Sequence, residues 1–210
     1  MDSLVLYKGM SKIYDLLDII YFTNNDWNPR KALSNYINKQ DVKILDICTG
    51  TAANAIAIAK LNTDSIIVGI DLSKEMLHIA QKKVDSNDLN NVKLYNMDAS
   101  DTTFEDNTFD VIIISLVLHE LPEELASKIL LEAKRILKPE GKILVMEWEE
   151  PQSFFKKILF YLIRKLEPKG FEQFLKNDLK SYLERFGLEI TDIKHCDYTK
   201  LLRIRKGEVN

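Results

Sequence analysis

Three residues, two aspartates and a glycine, stand where this chain could do chemistry. In "ILDICTGTAANAIAIAK", residues 44–60, an apolar run stops at Asp46, turns through Cys48, Thr49, Gly50 and Thr51, and continues as an alanine-rich helical pattern. A second carboxylate, Asp71, ends the next apolar run, "SIIVGIDL". It follows Gly50 by roughly 20 residues, the spacing at which an acidic residue accepts both hydroxyls of a bound ribose. A strand giving way to a helix leaves backbone N–H groups and a positive dipole end at the turn, where an anion can sit. Gly50 lets that ligand approach the backbone closely.

Two cofactors use such a turn. A dinucleotide brings a bulky pyrophosphate and calls for G-x-G-x-x-G. The single glycine between Cys48 and Ala52 argues against an NAD-dependent oxidoreductase. S-adenosylmethionine brings only a carboxylate and an ammonium, and Asp46 suits the cationic end. Its methyl sits on a sulfonium and is already electrophilic. Transfer can then rest on alignment and exclusion of water, with a base needed only where the acceptor must lose a proton.

These residues need a scaffold of alternating elements. "VKILDIC", "SIIVGIDL", "VKLYNMD", "FDVIIISLVLH" up to about Ser115, and "KILVMEW" read as five buried strands. Helical patterns at 52–61, 73–86 and from Pro122 onward separate most of them, and "KPEG" reads as a stop between the last helix and the fifth strand. Apolar strands alternating with helices indicate a parallel sheet covered on both faces. "FEQFLKNDLKSYLERFG" predicts one helix over 171–187, closed by Gly187. "LEITDIKHCDY" and "KLLRIRK" follow with too few residues between them for a parallel crossover, so a hairpin adds an antiparallel strand. The expected fold is α/β, a doubly wound, mostly parallel seven-stranded sheet with an antiparallel last strand. Within one domain, 1–40 precedes the core, 41–150 holds the cofactor, 151–187 is a helical insertion on the substrate side, and 188–207 is the terminal hairpin.

Composition narrows the classes. The chain has 210 residues, 46% of them hydrophobic and 29% charged, with a net charge of −3. That balance disfavours a broad nucleic-acid surface. Cys48 and Cys196 form no CxxC pair, and no metal site is expected. No signal peptide and no apolar run of membrane-spanning length is read, so a reduced, cytoplasmic protein is the expectation. The sequence leaves the oligomeric state open.

The motifs "ILDICTGTA", "VGIDLSKEML", "NMDASDTTFEDNTFDVIIISLVLHEL" and "RILKPEGKILVMEW" occur in order. Together they resemble the class I S-adenosylmethionine-dependent methyltransferases, and within them the ubiquinone/menaquinone C-methyltransferase branch. The resemblance covers about residues 40–150 and implies a Rossmann-like methyltransferase fold. It implies that Asp46, Cys48, Thr49, Gly50 and Thr51 hold the methionine end, and that Asp71 binds the ribose. By the same likeness Leu72 lies against the adenine, Asp98 meets its amino group with Ala99 beside it, and Ser115 stands near the sulfonium methyl. Tyr14, with Asp15, resembles a pair in the N-terminal lid of such enzymes. The acceptor implied is a small molecule, apolar or aromatic. A non-enzymatic S-adenosylmethionine-binding protein is the other reading, separated by cofactor-dependent methyl transfer.

Two features keep alternatives open. His119, in "VLHELP", is either a base or substrate contact at the mouth of the fourth strand, or a histidine fixing the loop before Pro122. In "SFFKKILFYLIRKLE", residues 153–167, Phe154, Phe155, Ile158, Leu159, Leu162 and Leu166 repeat at helical spacing. Such a stripe faces the core, walls an acceptor pocket with the segment around Tyr14, or rests on a membrane surface.

Overall fold

The computed structural model describes residues 28–167, 171–176 and 178–207. Its seven strands lie in one sheet of order β3-β2-β1-β4-β5-β7-β6. The strands are β1 (Lys43–Ile47), β2 (Ile66–Asp71), β3 (Val92–Asn96), β4 (Phe109–Ser115), β5 (Leu137–Trp148), β6 (Leu188–Cys196) and β7 (Thr199–Lys206). The helices are α1 (Pro29–Asn35), α2 (Ala53–Leu61), α3 (Lys74–Asp85), α4 (Glu123–Ile136), α5 (Phe154–Leu166), α6 (Phe171–Lys176) and α7 (Leu179–Glu184). β1 to β5 run parallel, and β7 is antiparallel to both β5 and β6. The cause is the short turn between Cys196 and Thr199, which can only send the chain back on itself.

Successive residues of each central strand serve opposite faces. Ile44, Ile67, Val111, Ile113 and Leu144 pack on one side with Leu33, Ala55, Ile58 and Ala80 of α1, α2 and α3. Leu45, Ile70, Ile112, Ile114 and Val145 pack on the other with Ile129, Leu130, Ala133 and Leu183 of α4 and α7. Double coverage makes the centres of β1 and β4 read as apolar runs, with Lys43 and Asp110 at their amino ends and Asp46 and Ser115 toward the carboxyl edge. β1 lies between β2 and β4, where the chain reverses the direction in which it builds the sheet. A ligand crevice forms beyond the carboxyl ends of the strands at such a point.

Two sequence expectations are corrected. The helix predicted over 171–187 is two helices, because the Asp178 side chain accepts from the Lys180 N–H and starts α7 anew. "KPEG" does not separate helix from strand. β5 begins at Leu137 directly after α4, and Lys138–Gly141 form an irregularity between the pairs Phe109–Leu137 and Val111–Lys142.

Candidate functional site

The turn after β1 enters the left-handed backbone region at Cys48 (φ 55°), Gly50 (φ 55°) and Ala52 (φ 61°). For residues with a Cβ this costs on the order of 1–3 kcal/mol each, so the surroundings must impose it. Asp46 supplies the constraint. Its carboxylate is buried and accepts from the Thr49 hydroxyl at 2.6 Å and from the Ala55 N–H. α2 has no side-chain cap of its own, and Asp46 takes that place from the end of the strand. β2 makes room for the arrangement: a Cβ on Gly69 would stand 3.0 Å from Thr49 Oγ1 and Cγ2. On Gly50, by contrast, a Cβ would have nothing within 4 Å. The open side of the turn is there.

Asp71 is bound into the same network. Its Oδ2 accepts from the Gly50 N–H at 2.8 Å and its Oδ1 from the Ser73 N–H at 2.8 Å. The Asn96 side chain fixes the end of β2 by donating to the carbonyls of Asp71 and Leu72. The N–H groups expected to face a ligand's anion, at Gly50 and at Ala55 in α2, therefore donate to the chain's own carboxylates. The turn is lined by negative charge, and the ligand end it suits is cationic. Burial pushes Asp46 up to about 6, against the hydrogen bonds from Thr49 and Ala55 and with the neighbouring Asp71 charge. Burial, then the charges of Asp71 and Asp46, push the Cys48 thiol up to about 12, so it stays protonated and packs.

The other predicted positions sit on the same edge. Thr51 is buried and its hydroxyl accepts from Lys83 Nζ at 3.1 Å. Leu72 is 66% exposed just past β2. Asp98, past β3, is exposed and accepts from the Ser100 N–H and hydroxyl, which hold its carboxyl below the usual range. Ala99 beside it is buried, and Ser115 is half-buried at the end of β4. Tyr14 and Asp15 lie outside the described residues.

A second constellation occupies the edge beyond β4 and β5, and sequence reasoning found only one of its members. Glu147 is fully buried in β5. Its Oε1 accepts from the N–H groups of Val117 (3.1 Å) and Leu118 (2.8 Å), and its Oε2 from His119 Nδ1 at 2.6 Å. The other ring nitrogen, Nε2, lies 3.1 Å from Glu167 Oε2, and Trp148 Nε1 donates to Glu167 Oε1 at 3.1 Å. Burial alone would lower the His119 pKa. Hydrogen bonds and charge from Glu147 and Glu167 outweigh it and hold the imidazolium up to about 10. Both ring nitrogens of His119 are engaged by carboxylates, which is the loop-fixing arrangement that stood beside the base reading. His119, Glu120 and Glu167 place donor atoms within 4.8 Å of one another. The His119 ring lies within ion-pair distance of three carboxylates, Glu120, Glu147 and Glu167. The missed signal was Glu147 itself, a carboxylate in the buried run "ILVMEW".

Beside this cluster opens a cleft of ≈ 550 Å³ between α4, α6 and α7, with Leu118, His119, Leu121, Phe174, Leu179 and Tyr182 among its walls. Among the described residues, α5 contributes nothing to it. Phe154, Phe155, Ile158 and Leu162 are exposed and Leu159 is half-buried. Of the predicted stripe, Leu159 packs against the cluster of Trp148, Phe160, Ile163, Phe171 and Tyr198, while Phe154, Phe155, Ile158 and Leu162 face solvent.

The model of the ubiE/COQ5 methyltransferase family matches residues 4–189. The chain belongs to this family. It is 34% identical over 148 residues to a demethylmenaquinone methyltransferase of Staphylococcus aureus, an alignment covering 70% of this chain and 60% of the relative. A demethylmenaquinone methyltransferase of Bacillus cereus is 28% identical over 90% of this chain and 88% of its own length. The chain thus spans less than two thirds of the S. aureus relative's length and most of the B. cereus one's. Among solved structures, a SAM-dependent methyltransferase from Aquifex aeolicus superposes with a TM-score of 0.72 at 22% identity, covering 94% of this chain and 97% of that one. That likeness shows the shared fold.

Proposed function

We propose that this chain is an S-adenosylmethionine-dependent methyltransferase acting on a small aromatic acceptor with an apolar chain, of the demethylmenaquinone kind. The observation that carries the reading is the pair Asp46 and Asp71 across an open glycine turn. Two carboxylates meet there with a hydroxyl and backbone N–H groups as partners. S-adenosylmethionine supplies the missing positive charge as ammonium and sulfonium. Asp46, Cys48, Thr49, Gly50 and Thr51 hold the methionine end, and Asp71 has lone pairs left to accept from the ribose diol. Leu72 offers an apolar surface to the adenine, with Asp98 and Ala99 at its amino edge, and Ser115 stands nearest the methyl.

The acceptor occupies the cleft beside His119, where Leu118, Leu121, Phe174 and Leu179 offer apolar surface to a ring and the start of an isoprenoid chain, and Glu123, Gln173 and Arg185 add polar groups. His119 is a positioning residue: through Glu147 it fixes the Val117–His119 backbone between Ser115 and the cleft. Held by these residues, S-adenosylmethionine would supply an electrophilic methyl and would leave as the neutral thioether with the bonding pair, while the methylated acceptor would release its proton to solvent. The cluster excludes water and fixes the wall against which the acceptor aligns. A reduced, cytoplasmic setting, in keeping with free thiols at Cys48 and Cys196, belongs to the same proposal.

Calorimetric titration with S-adenosylmethionine tests the donor. Removing the Asp71 carboxylate should cost about 1.5–3 kcal/mol of binding, roughly ten- to a hundred-fold in affinity. Wild-type affinity in a folded Asp71→Ala protein would refute its role. Labelled cofactor incubated with a demethylated naphthoquinol tests the acceptor. Cofactor binding without transfer to that acceptor, or to any acceptor in a cell extract, would leave a binding protein and sink the enzymatic reading.

A further inference from the structure

The solvent face of α5 is apolar. Phe154, Phe155, Ile158, Tyr161 and Leu162 are 72%, 81%, 58%, 54% and 54% exposed. At helical spacing these five fall on one continuous arc. Phe160 and Ile163 lie on the opposite side, packed against Trp148, Phe171 and Tyr198. The helix is therefore anchored by its buried edge and presents the arc already formed. The arc carries one charged residue, Lys165, and Lys157 stands at its edge. Across the helix stand Lys156, Lys157, Arg164 and Lys165 with no acidic residue, in a chain whose net charge is −3. Lys165 Nζ lies 4.8 Å from the centre of the Tyr161 ring, which puts a cation and an aromatic ring at one level. At the borders, Lys156 pairs with Asp197 and Arg164 with Glu172, and Lys157 reaches Glu150 at 3.4 Å.

We propose that α5 is an interfacial docking helix that lays this apolar arc on an anionic phospholipid bilayer. Rings and aliphatic side chains on one face with lysines among them are what lies in the headgroup boundary, the side chains inserted and the ammonium groups at the phosphates. The helix has 13 residues, short of the ~20 that a span needs, so it lies on the bilayer and does not cross it. Charge selects this occupant over a second copy of the chain. A two-fold contact through the arc would bring the same lysines together, whereas lipid phosphates attract them. The proposal does not rest on methyl transfer, because docking needs neither cofactor nor acceptor.

The test is co-sedimentation of the full chain, without cofactor, with vesicles of phosphatidylglycerol and phosphatidylcholine or of phosphatidylcholine alone. The chain should pellet with the anionic vesicles, less so in high salt as screening shortens the reach of the lysines. Lys165→Gln should weaken this binding by roughly five-fold. Phe155→Glu combined with Ile158→Glu should abolish it. These side chains are exposed, so the melting temperature should stay at the wild-type value in every variant. A chain that remains in the supernatant with anionic vesicles overturns the proposal, as does a double variant that binds like wild type. So does a concentration-dependent dimer in sedimentation velocity that the same double substitution abolishes, because the arc would then be covered by a second copy.

Discussion

The carboxyl edge of the sheet holds two buried carboxylates in opposite electrostatic circumstances. Asp46, at the end of β1, is satisfied by a hydroxyl and an N–H, and burial lifts its pKa to about 6. Glu147, near the end of β5, is satisfied by two N–H groups and by a histidine that burial alone would neutralise, held protonated to about 10 by Glu147 and Glu167. In the first region the charge of Arg30 and two hydrogen bonds offset burial only in part, so the carboxylate stays costly to ionise. The second holds a histidine in direct contact with its carboxylate. A buried charge offset only in part suits a place prepared for a ligand, and one in direct contact with a counter-charge suits a fixed wall.

The comparison breaks most readily at His119. Replacing it by Ala leaves Glu147 buried without its counter-charge and should cost about 3–5 kcal/mol. The measurement is urea unfolding at neutral pH. Wild-type stability for His119→Ala would mean that Glu147 does not need the histidine, and the contrast with Asp46 would fail. The pH dependence carries the same content. A pKa raised from 6.5 to about 10 means that the His119 contribution is complete below about pH 6.5 and is lost as pH rises through 10. His119→Gln, which keeps a hydrogen bond to Glu147, should flatten stability across that window.

Asp46 should follow the same sign in a lower pH window. Its pKa rises from 3.8 to about 6, so the protonated form stabilises the apo protein most below pH 3.8, and that stability is lost as pH rises through 6. Two pKa units correspond to about 3 kcal/mol. Asp46→Asn keeps an oxygen to accept from Thr49 and removes the ionisation. At pH 8 the variant should be at least as stable as wild type and yet bind S-adenosylmethionine more weakly. Wild-type affinity should itself decline as pH falls through 6, where Asp46 loses the charge that a bound ammonium needs. Calorimetry across pH 5–8 checks both. An affinity flat through that range would remove Asp46 from the cation end.

A smaller effect separates the support of the turn from its chemistry. A methyl group on Gly69 would meet Leu94 Cδ2 at 2.8 Å and Thr49 at 3.0 Å. Gly69→Ala should cost about 1–3 kcal/mol of stability as the contacts shift. It should also weaken cofactor binding through Thr49, with no change at the His119 cluster. Loss of stability with unchanged affinity would show that Thr49 tolerates displacement.

The sequence made the two regions unequally legible. The β1 turn was visible because its residues are consecutive, and Asp71 because the spacing of strand, helix and strand is regular. The parallel strands were visible because burial on both faces leaves apolar runs, and β7 because a two-residue turn has one geometric outcome. The His119 cluster was hidden because its members come from the loop after β4, from β5 and from the end of α5, and only the β4–β5 register unites them. The break before α7 was hidden because Asp178 can sit in a helix or cap one, and local pattern does not choose between these.

The smallest predicted effect concerns α5, where periodicity revealed an apolar face but could not reveal what covers it. The residues the structure buries, Phe160 and Ile163, lie outside the predicted stripe, and Phe155 within it is 81% exposed. The two phenylalanines on one helix therefore make an internal control. Phe160 is 1% exposed and contacts the rings of Trp148, Phe171 and Tyr198. Truncating it to Ser should cost on the order of 3–5 kcal/mol, as for other buried aromatics. Phe155→Ser removes a ring that solvent already touches and should change stability by no more than about 0.5 kcal/mol. Turnover with a water-soluble acceptor should also be unchanged, because no described residue of α5 lines the cleft. Thermal melts of the two variants, with single-turnover transfer for Phe155→Ser, decide the matter. If Phe155→Ser melts as low as Phe160→Ser, the exposed arc is covered in the folded chain and the helix belongs to the core after all. If it melts like wild type but loses turnover, the acceptor reaches α5 and the cleft beside His119 is not its whole site.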